Sequence, residues 1–233
     1  VDMFPESTGF SSISTAGNGF VVAEDGKSYL ELSDAQGNKY TLRGSEVYDA
    51  AGNKTDYRVD EGSGENAYHN KGDLYDGEEY VGNIYLSSQR AGNDSAPLQI
   101  LRTCYLWLTY SDDNGQTWSN PVNVSGQVKE SWMKFCGTGP GFGIELKNGE
   151  HAGRLVFPIY YTNNSGFQSS ACIYSDDNGV TWERGISPND ARGEDMGDSQ
   201  NPEFSQQLTE SQIIELNSGN LLQFMRNTGG NGK

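Results

Sequence analysis

Near the end of the 233-residue chain, two side chains combine charge and spacing in a way that invites chemistry. They are Glu210 and Arg226, in the segment "TESQIIELNSGNLLQFMRN" over 209–227. The segment reads as two strands joined at "NSGN", and a loop centred near Ser218 sets Glu210 across the ladder from Arg226. Directly opposed residues hold their Cβ atoms roughly 4.5–5.5 Å apart, within reach of a carboxylate and a guanidinium. A loop one residue different would send them to opposite faces. On the residues alone the pair has two readings. One is a surface cross-strand ion pair, worth about 0–1 kcal/mol. The other is a functional pair, whose chemistry a carboxylate beside a planar guanidinium that cannot be deprotonated would carry.

The elements that must position such a pair are strands. Thirty glycines, thirteen tyrosines and frequent Asn-Gly and Asp-Gly-type turns, with scarcely any long helical period, describe an all-β sandwich, barrel or propeller. One phrase occurs twice: "SDDNGQTW" at 111–118 returns as "SDDNGVTW" at 175–182. In both copies the aspartate can accept hydrogen bonds from turn amides, the glycine can take a positive φ, and the tryptophan can cover the hairpin root. A carboxylate satisfied by its own turn is already occupied, so Asp113 and Asp177 read as structural. The apolar run "ILRTCYLWLTY" leads into the first box as one long strand and "VNVSGQV" follows it as another. "SSACIY" and "TWERG" flank the second box, so each caps a hairpin. A repeated supersecondary unit is the mark of a propeller or solenoid.

Composition bounds the partners. With 32 acidic against 16 basic side chains the net charge is −16, which argues against nucleic acid and anionic membranes. Cys104, Cys136 and Cys172 lie in apolar runs without metal-ligand spacing and read as buried small hydrophobes. There is no apolar run long enough for a membrane span, and the opening "VDMFPESTGF" has no initiator methionine or leader pattern, so the chain reads as a mature or excised segment. Residues 11–98 are polar and Gly/Asn/Asp-rich. They hold two near-copies of one turn, "DAQGN" at 34–38 and "DAAGN" at 49–53, and read as a small β-meander. The acidic stretch 59–79 lacks the D-x-[DN]-x-[DN]-G calcium pattern and reads as a solvated loop. No metal or cofactor is expected.

The boxes resemble the Asp-box of sialidases, which recurs on the blades of a six-bladed β-propeller. The resemblance extends to "TESQ" with "MRN" sixteen residues after its glutamate, and to 128–149 and 153–179, which are similar to secreted bacterial sialidases carrying an inserted domain. It implies that 1–10 and 99–233 form the middle blades of the catalytic propeller, with 11–98 as the insert. By the same resemblance Glu210 takes the proton of a tyrosine nucleophile, Arg226 is one of three arginines that hold the substrate carboxylate, and Thr209 neighbours Glu210. Phe135, Tyr160 and Gln168 would line the sugar site, and Phe4 and Phe10 an apolar wall for an N-acetyl methyl. Core packing accounts equally for Phe4, Phe10 and Phe135.

The family's Arg-Ile-Pro arginine, acid/base aspartate, third arginine and nucleophilic tyrosine are not identifiable in this sequence. The chain is therefore expected to be a central fragment, inactive alone, with open blade edges that pair with the remaining segments of the domain. The implied function is retaining exo-sialidase cleavage of sialylated glycans by a secreted or cell-surface protein. Two other readings stay open: intramolecular trans-sialylation at the same site, and a non-catalytic propeller that binds sialoglycans.

Overall fold

The computed structural model describes residues 2–6, 8–9, 15–62, 69–86, 96–162, 166–189 and 207–228. The chain is all-β, in two compact units, Met3–Gly126 and Val1–Asp2 with Gln127–Lys233. The first strand, β1, is Asp2–Met3.

In the unit Met3–Gly126, seven strands form an antiparallel meander in chain order: β2 (Phe20–Val22), β3 (Ser28–Ser33), β4 (Lys39–Arg43), β5 (Glu46–Asp49), β6 (Lys54–Val59), β7 (Asp73–Asp76) and β8 (Glu79–Asn83). A short β9 (Gln99–Ile100) pairs with the end of β3. Alternation along the strands sends Leu30, Leu32, Val47, Val59 and Leu74 to one face, where they form a core with Ile84, Leu98, Ile100 and Tyr105. The two near-copied turns adopt the same geometry. Asp34 Oδ1 accepts from the amides of Gln36 and Asn38 at 3.0 and 2.8 Å, and Asp49 Oδ1 from those of Ala51 and Asn53 at 2.9 and 2.8 Å. In the described part of the acidic stretch, two carboxylates are satisfied by amides: Asp60 by Asn70 and the Gly62 amide, Asp73 by Asn83.

The long strand expected over "ILRTCYLWLTY" is broken. Only β9 and β10 (Tyr105–Leu108) form, because Thr103 turns its amide back onto the Leu101 carbonyl at 2.9 Å and Tyr105 Oη donates to the same carbonyl at 2.8 Å. After the first box, β11 (Val122–Asn123) pairs with β10, and the expected strand "VNVSGQV" ends there in one helical turn, α1 (Ser125–Val128).

The second unit has a sheet ordered β12 (Cys136–Thr138), β14 (Leu155–Thr162), β15 (Gln168–Ser175), β16 (Glu183–Arg184), with β13 (Ile144–Glu145) also on β14. A hairpin of β17 (Leu208–Glu215) and β18 (Leu221–Asn227) packs across it, and Ile213 closes a small core with Leu146 and Val156. Cys104 and Cys136 are buried and Cys172 partly so; all three are free thiols, and burial pushes the Cys172 thiol up to about 11.

Both boxes are self-satisfied turns. Asp177 Oδ2 accepts from Thr181 Oγ1 at 2.6 Å, and its Oδ1 from the Thr181 amide and Ser175 Oγ, each at 2.8 Å; Asp113 repeats this with Thr117 and Ser111. The central asparagines and glycines hold positive φ, 60° and 83° in the first copy and 58° and 86° in the second. The tryptophans diverge: Trp182 is 4% exposed and donates to the Gly179 carbonyl, whereas Trp118 is 54% exposed.

The hydroxyls and amides of Thr181 and Thr117, with the serine hydroxyls, hold both box carboxyls down to about 2, against an ordinary 3.8. A depressed carboxyl stabilises the fold fully above its ordinary value and loses that contribution as pH falls through its folded value. The unfolding temperature of the chain is therefore expected to drop between pH 4 and pH 2. Asp177→Ala should lower the unfolding temperature at pH 7 and flatten that drop; an unchanged profile would remove the turn from the stability account.

Candidate functional site

From Ser211 to Glu215 the β17–β18 hairpin keeps the register whose extension would set Glu210 across from Arg226. Ser211 pairs with Met225, Gln212 with Phe224 and Glu215 with Leu221, and the ladder becomes irregular only between Leu208 and Ser211. Within that irregular stretch Arg226 Nη1 donates to Glu210 Oε2 at 3.0 Å. The pair is open to solvent, with Arg226 and Glu210 side chains 63% and 39% exposed. A guanidinium carries five N–H donors, so one bond to Glu210 leaves capacity for a bound anion.

What fixes the irregular stretch is a set of buried polar contacts on the hairpin's other face. Ser170 Oγ on β15 donates to the Thr209 carbonyl, and Thr209 Oγ1 donates to the Arg226 carbonyl at 3.4 Å. One turn of the ladder further, Gln223 Nε2 reaches Ser211 Oγ at 2.8 Å and the Ala171 carbonyl at 3.4 Å. These contacts bind both strands of the hairpin to β15. Thr209, Ser211 and Ser170 are all buried, so each hydrogen bond replaces one that water can no longer provide.

Phe135, Tyr160 and Gln168 gather at the same end of this unit. Tyr160 on β14 stands opposite Ser170, and Thr162 opposite Gln168, so Tyr160 and Gln168 project from the same face of the sheet. The Gln168 amide donates to Gln207 Oε1 at 3.1 Å, immediately before β17. Phe135, 3% exposed, packs its ring against Tyr160 with centroids 4.8 Å apart. Phe4 belongs to the other unit, where it lines a cavity of about 300 Å³ with His69, Lys71 and Trp107. Phe10 lies outside the described residues.

Sequence reasoning passed over Asp2, Ser170, Gln207 and Gln223. Asp2 Oδ1 accepts from the Thr138 amide at 2.8 Å and from Thr138 Oγ1 at 3.1 Å. Its other oxygen lies over Gly137, the partner of Tyr160 in the ladder; a Cβ on Gly137 would stand 2.7 Å from that oxygen and would also strike the Phe135 ring. A second carboxylate thus borders the Phe135–Tyr160 pair. The one local signal was the pairing of a glycine with two aromatics in "FCGT" and "IYYT".

The chain matches the family described as BNR repeat-like domain over residues 17–230. It is 32% identical to an anhydrosialidase of Macrobdella decora over 99% of the chain and 29% of that protein. A solved intramolecular trans-sialidase of Ruminococcus gnavus superposes with a TM-score of 0.72 at 28% identity, covering 97% of this chain and 45% of that one. The leech intramolecular trans-sialidase complexed with 2,7-anhydro-Neu5Ac does so with a TM-score of 0.73 at 26% identity, covering 97% of this chain and 32% of that one. The chain thus spans less than half the length of each.

The exposure of the ion pair separates its electrostatics from the stability of the hairpin. In a double-mutant cycle on unfolding, Glu210→Gln and Arg226→Ala should couple by less than about 1 kcal/mol, while Ser170→Ala should cost about 1–3 kcal/mol by leaving the Thr209 carbonyl unpaired. The reverse order would make the ion pair the anchor of the hairpin.

Proposed function

The chain belongs to the BNR repeat-like domain family and has the sialidase β-propeller fold, and on that premise we propose that it supplies the base-bearing part of a site that cleaves terminal sialic acid from glycans. The observation that carries this reading is the Glu210–Arg226 pair at the irregular end of β17–β18, held at 3.0 Å and open to solvent.

The chemistry suits such a substrate. Sialic acid carries a carboxylate on its anomeric carbon, so a carboxylate nucleophile would approach against its charge; a tyrosine avoids this, and sialidases depart from the two-carboxylate pattern for that reason. In this reading Glu210 accepts the phenol proton of a tyrosine supplied by another part of the parent protein. Arg226 binds the substrate carboxylate through the donors that Glu210 does not use. Tyr160 and Gln168 contact the sugar, with Phe135 backing Tyr160 and Thr209 fixing the backbone beside Glu210. Phe4 and Phe10 would form the wall for the N-acetyl methyl. The two boxes are Asp-boxes of the propeller, 11–98 its insert, and the protein a secreted or surface-attached bacterial enzyme.

Two outcomes share this first step. Water gives free sialic acid; attack by a hydroxyl of the sugar itself gives an anhydro product. A specific observation favours the second. At identities above 25%, the relatives that align over nearly the whole chain include an anhydrosialidase and intramolecular trans-sialidases, whereas the sialidase of Bacteroides fragilis matches over 62% of it; the NanB sialidase of Streptococcus pneumoniae covers 98% of the chain at only 21% identity.

The test uses the complete parent protein with a fluorogenic sialoside. Wild type should turn over, and Glu210→Gln and Arg226→Ala should each lose about a hundredfold or more in kcat/KM, the scale of a lost proton acceptor. Product mass then separates free sialic acid from its anhydro form, lighter by one water. An inert wild type that still binds sialoglycans would make the propeller a lectin.

A further inference from the structure

Within the unit Met3–Gly126 lies a cavity of about 370 Å³, none of whose lining residues belongs to the hairpin site. That volume is in the range of small-molecule pockets. The cavity lies between β3, β4 and the segment 120–123, and it is open to solvent past Ser28, Glu61 and Val122, which are exposed.

Its walls combine aromatic surface with polar donors. Phe20, Tyr29 and Tyr85 line it, together with Lys71, Asn120 and Asn123. Lys71 is half-buried, and burial holds its ammonium below the ordinary lysine value while the Glu61 and Asp60 carboxylates pull the other way. Burying an ammonium is costly unless it is paired. The Lys71 ammonium donates to the Glu61 carbonyl at 2.8 Å and stands 5.5 Å from the centre of the Trp107 ring, and among the described residues neither of these partners is a carboxylate. An ammonium has three donors, so this bond uses one of them. Asn120 Nδ2 is occupied by the Gly62 carbonyl at 2.9 Å. Asn123 accepts the Ser125 amide at 3.0 Å, but its Nδ2 is buried and has no hydrogen-bond partner. A buried donor left unmade costs about 1–3 kcal/mol, and native proteins tolerate few of them.

A half-buried cation and an orphan amide donor beside aromatic rings call for a ligand rich in acceptors, negatively charged, and with C–H faces to lay against the rings. Inorganic phosphate meets the first two demands and a neutral sugar the last. We infer that this cavity is a binding site for a carboxylated pyranose of the uronic acid class, with the carboxylate directed to Lys71. The inference is independent of the hairpin site and of its chemistry.

Saturation-transfer NMR on the full chain tests it with D-glucuronate as probe, beside D-glucose and inorganic phosphate. Glucuronate should bind at least about fivefold more tightly than glucose, and Lys71→Met should weaken it about tenfold or more, the scale of a lost charge-assisted bond. Ser28→Trp, a substitution at the exposed rim that leaves the core untouched, should block binding without lowering the unfolding temperature, and carries the test if Lys71→Met does not fold. Arg226→Ala should leave glucuronate binding unchanged. The assignment is overturned if glucuronate does not bind, if glucose binds as well, if phosphate displaces glucuronate at equal concentration, if Ser28→Trp has no effect, or if Arg226→Ala abolishes the signal.

Discussion

The hydrogen bond from Ser170 to the Thr209 carbonyl is the constraint on which the candidate site depends. The β17–β18 ladder is regular from Ser211 onward and shifts register between Leu208 and Ser211, so the backbone carrying Glu210 lacks the regular ladder of the rest of its hairpin. Its geometry comes from β15, through Ser170 at Thr209 and the Ala171 carbonyl at Gln223. The same strand carries Gln168 and pairs with Tyr160. One strand therefore sets the positions of Tyr160, Gln168 and Glu210 together, and buried polar contacts make that setting specific, since a slip of one residue would strand every one of them.

Division of labour among carboxylates follows from how each is satisfied. Asp113 and Asp177 spend both oxygens on their own turns, as do Asp34 and Asp49 in the meander. Glu210 faces a single flexible cation and is half open to water. In a chain with 32 acidic side chains, what distinguishes a candidate for proton transfer is an oxygen left with capacity to accept.

Much of this was legible in the sequence because it is local. The "NSGN" turn determined which residues of its two strands face one another, and the box spelled out its own hydrogen bonds. The "DAQGN" and "DAAGN" pair gave two identical hairpin turns for the same reason. What escaped is nonlocal. Identical boxes do not reveal that Trp182 packs against Phe157 while Trp118 faces water, because the difference lies in partners distant in sequence. Asp2 and Thr138 are 136 residues apart, and nothing near Asp2 announces the contact. The expected strand over 100–110 broke because a threonine amide and a tyrosine hydroxyl both donate to the Leu101 carbonyl, a local turn that β-propensity does not register.

Strand β15 begins at Gln168 and ends at Ser175, the first residue of the second box. Eight residues of extended chain separate them by roughly 23 Å. The candidate-site end and the turn end of the sheet are thus poles of one rigid rod, and the turn pole is a self-contained knot of hydrogen bonds. For a protein engineer it is an address: a tag, a dye or a surface tether attached at the exposed Val180 would sit at the end of β15 opposite the candidate site.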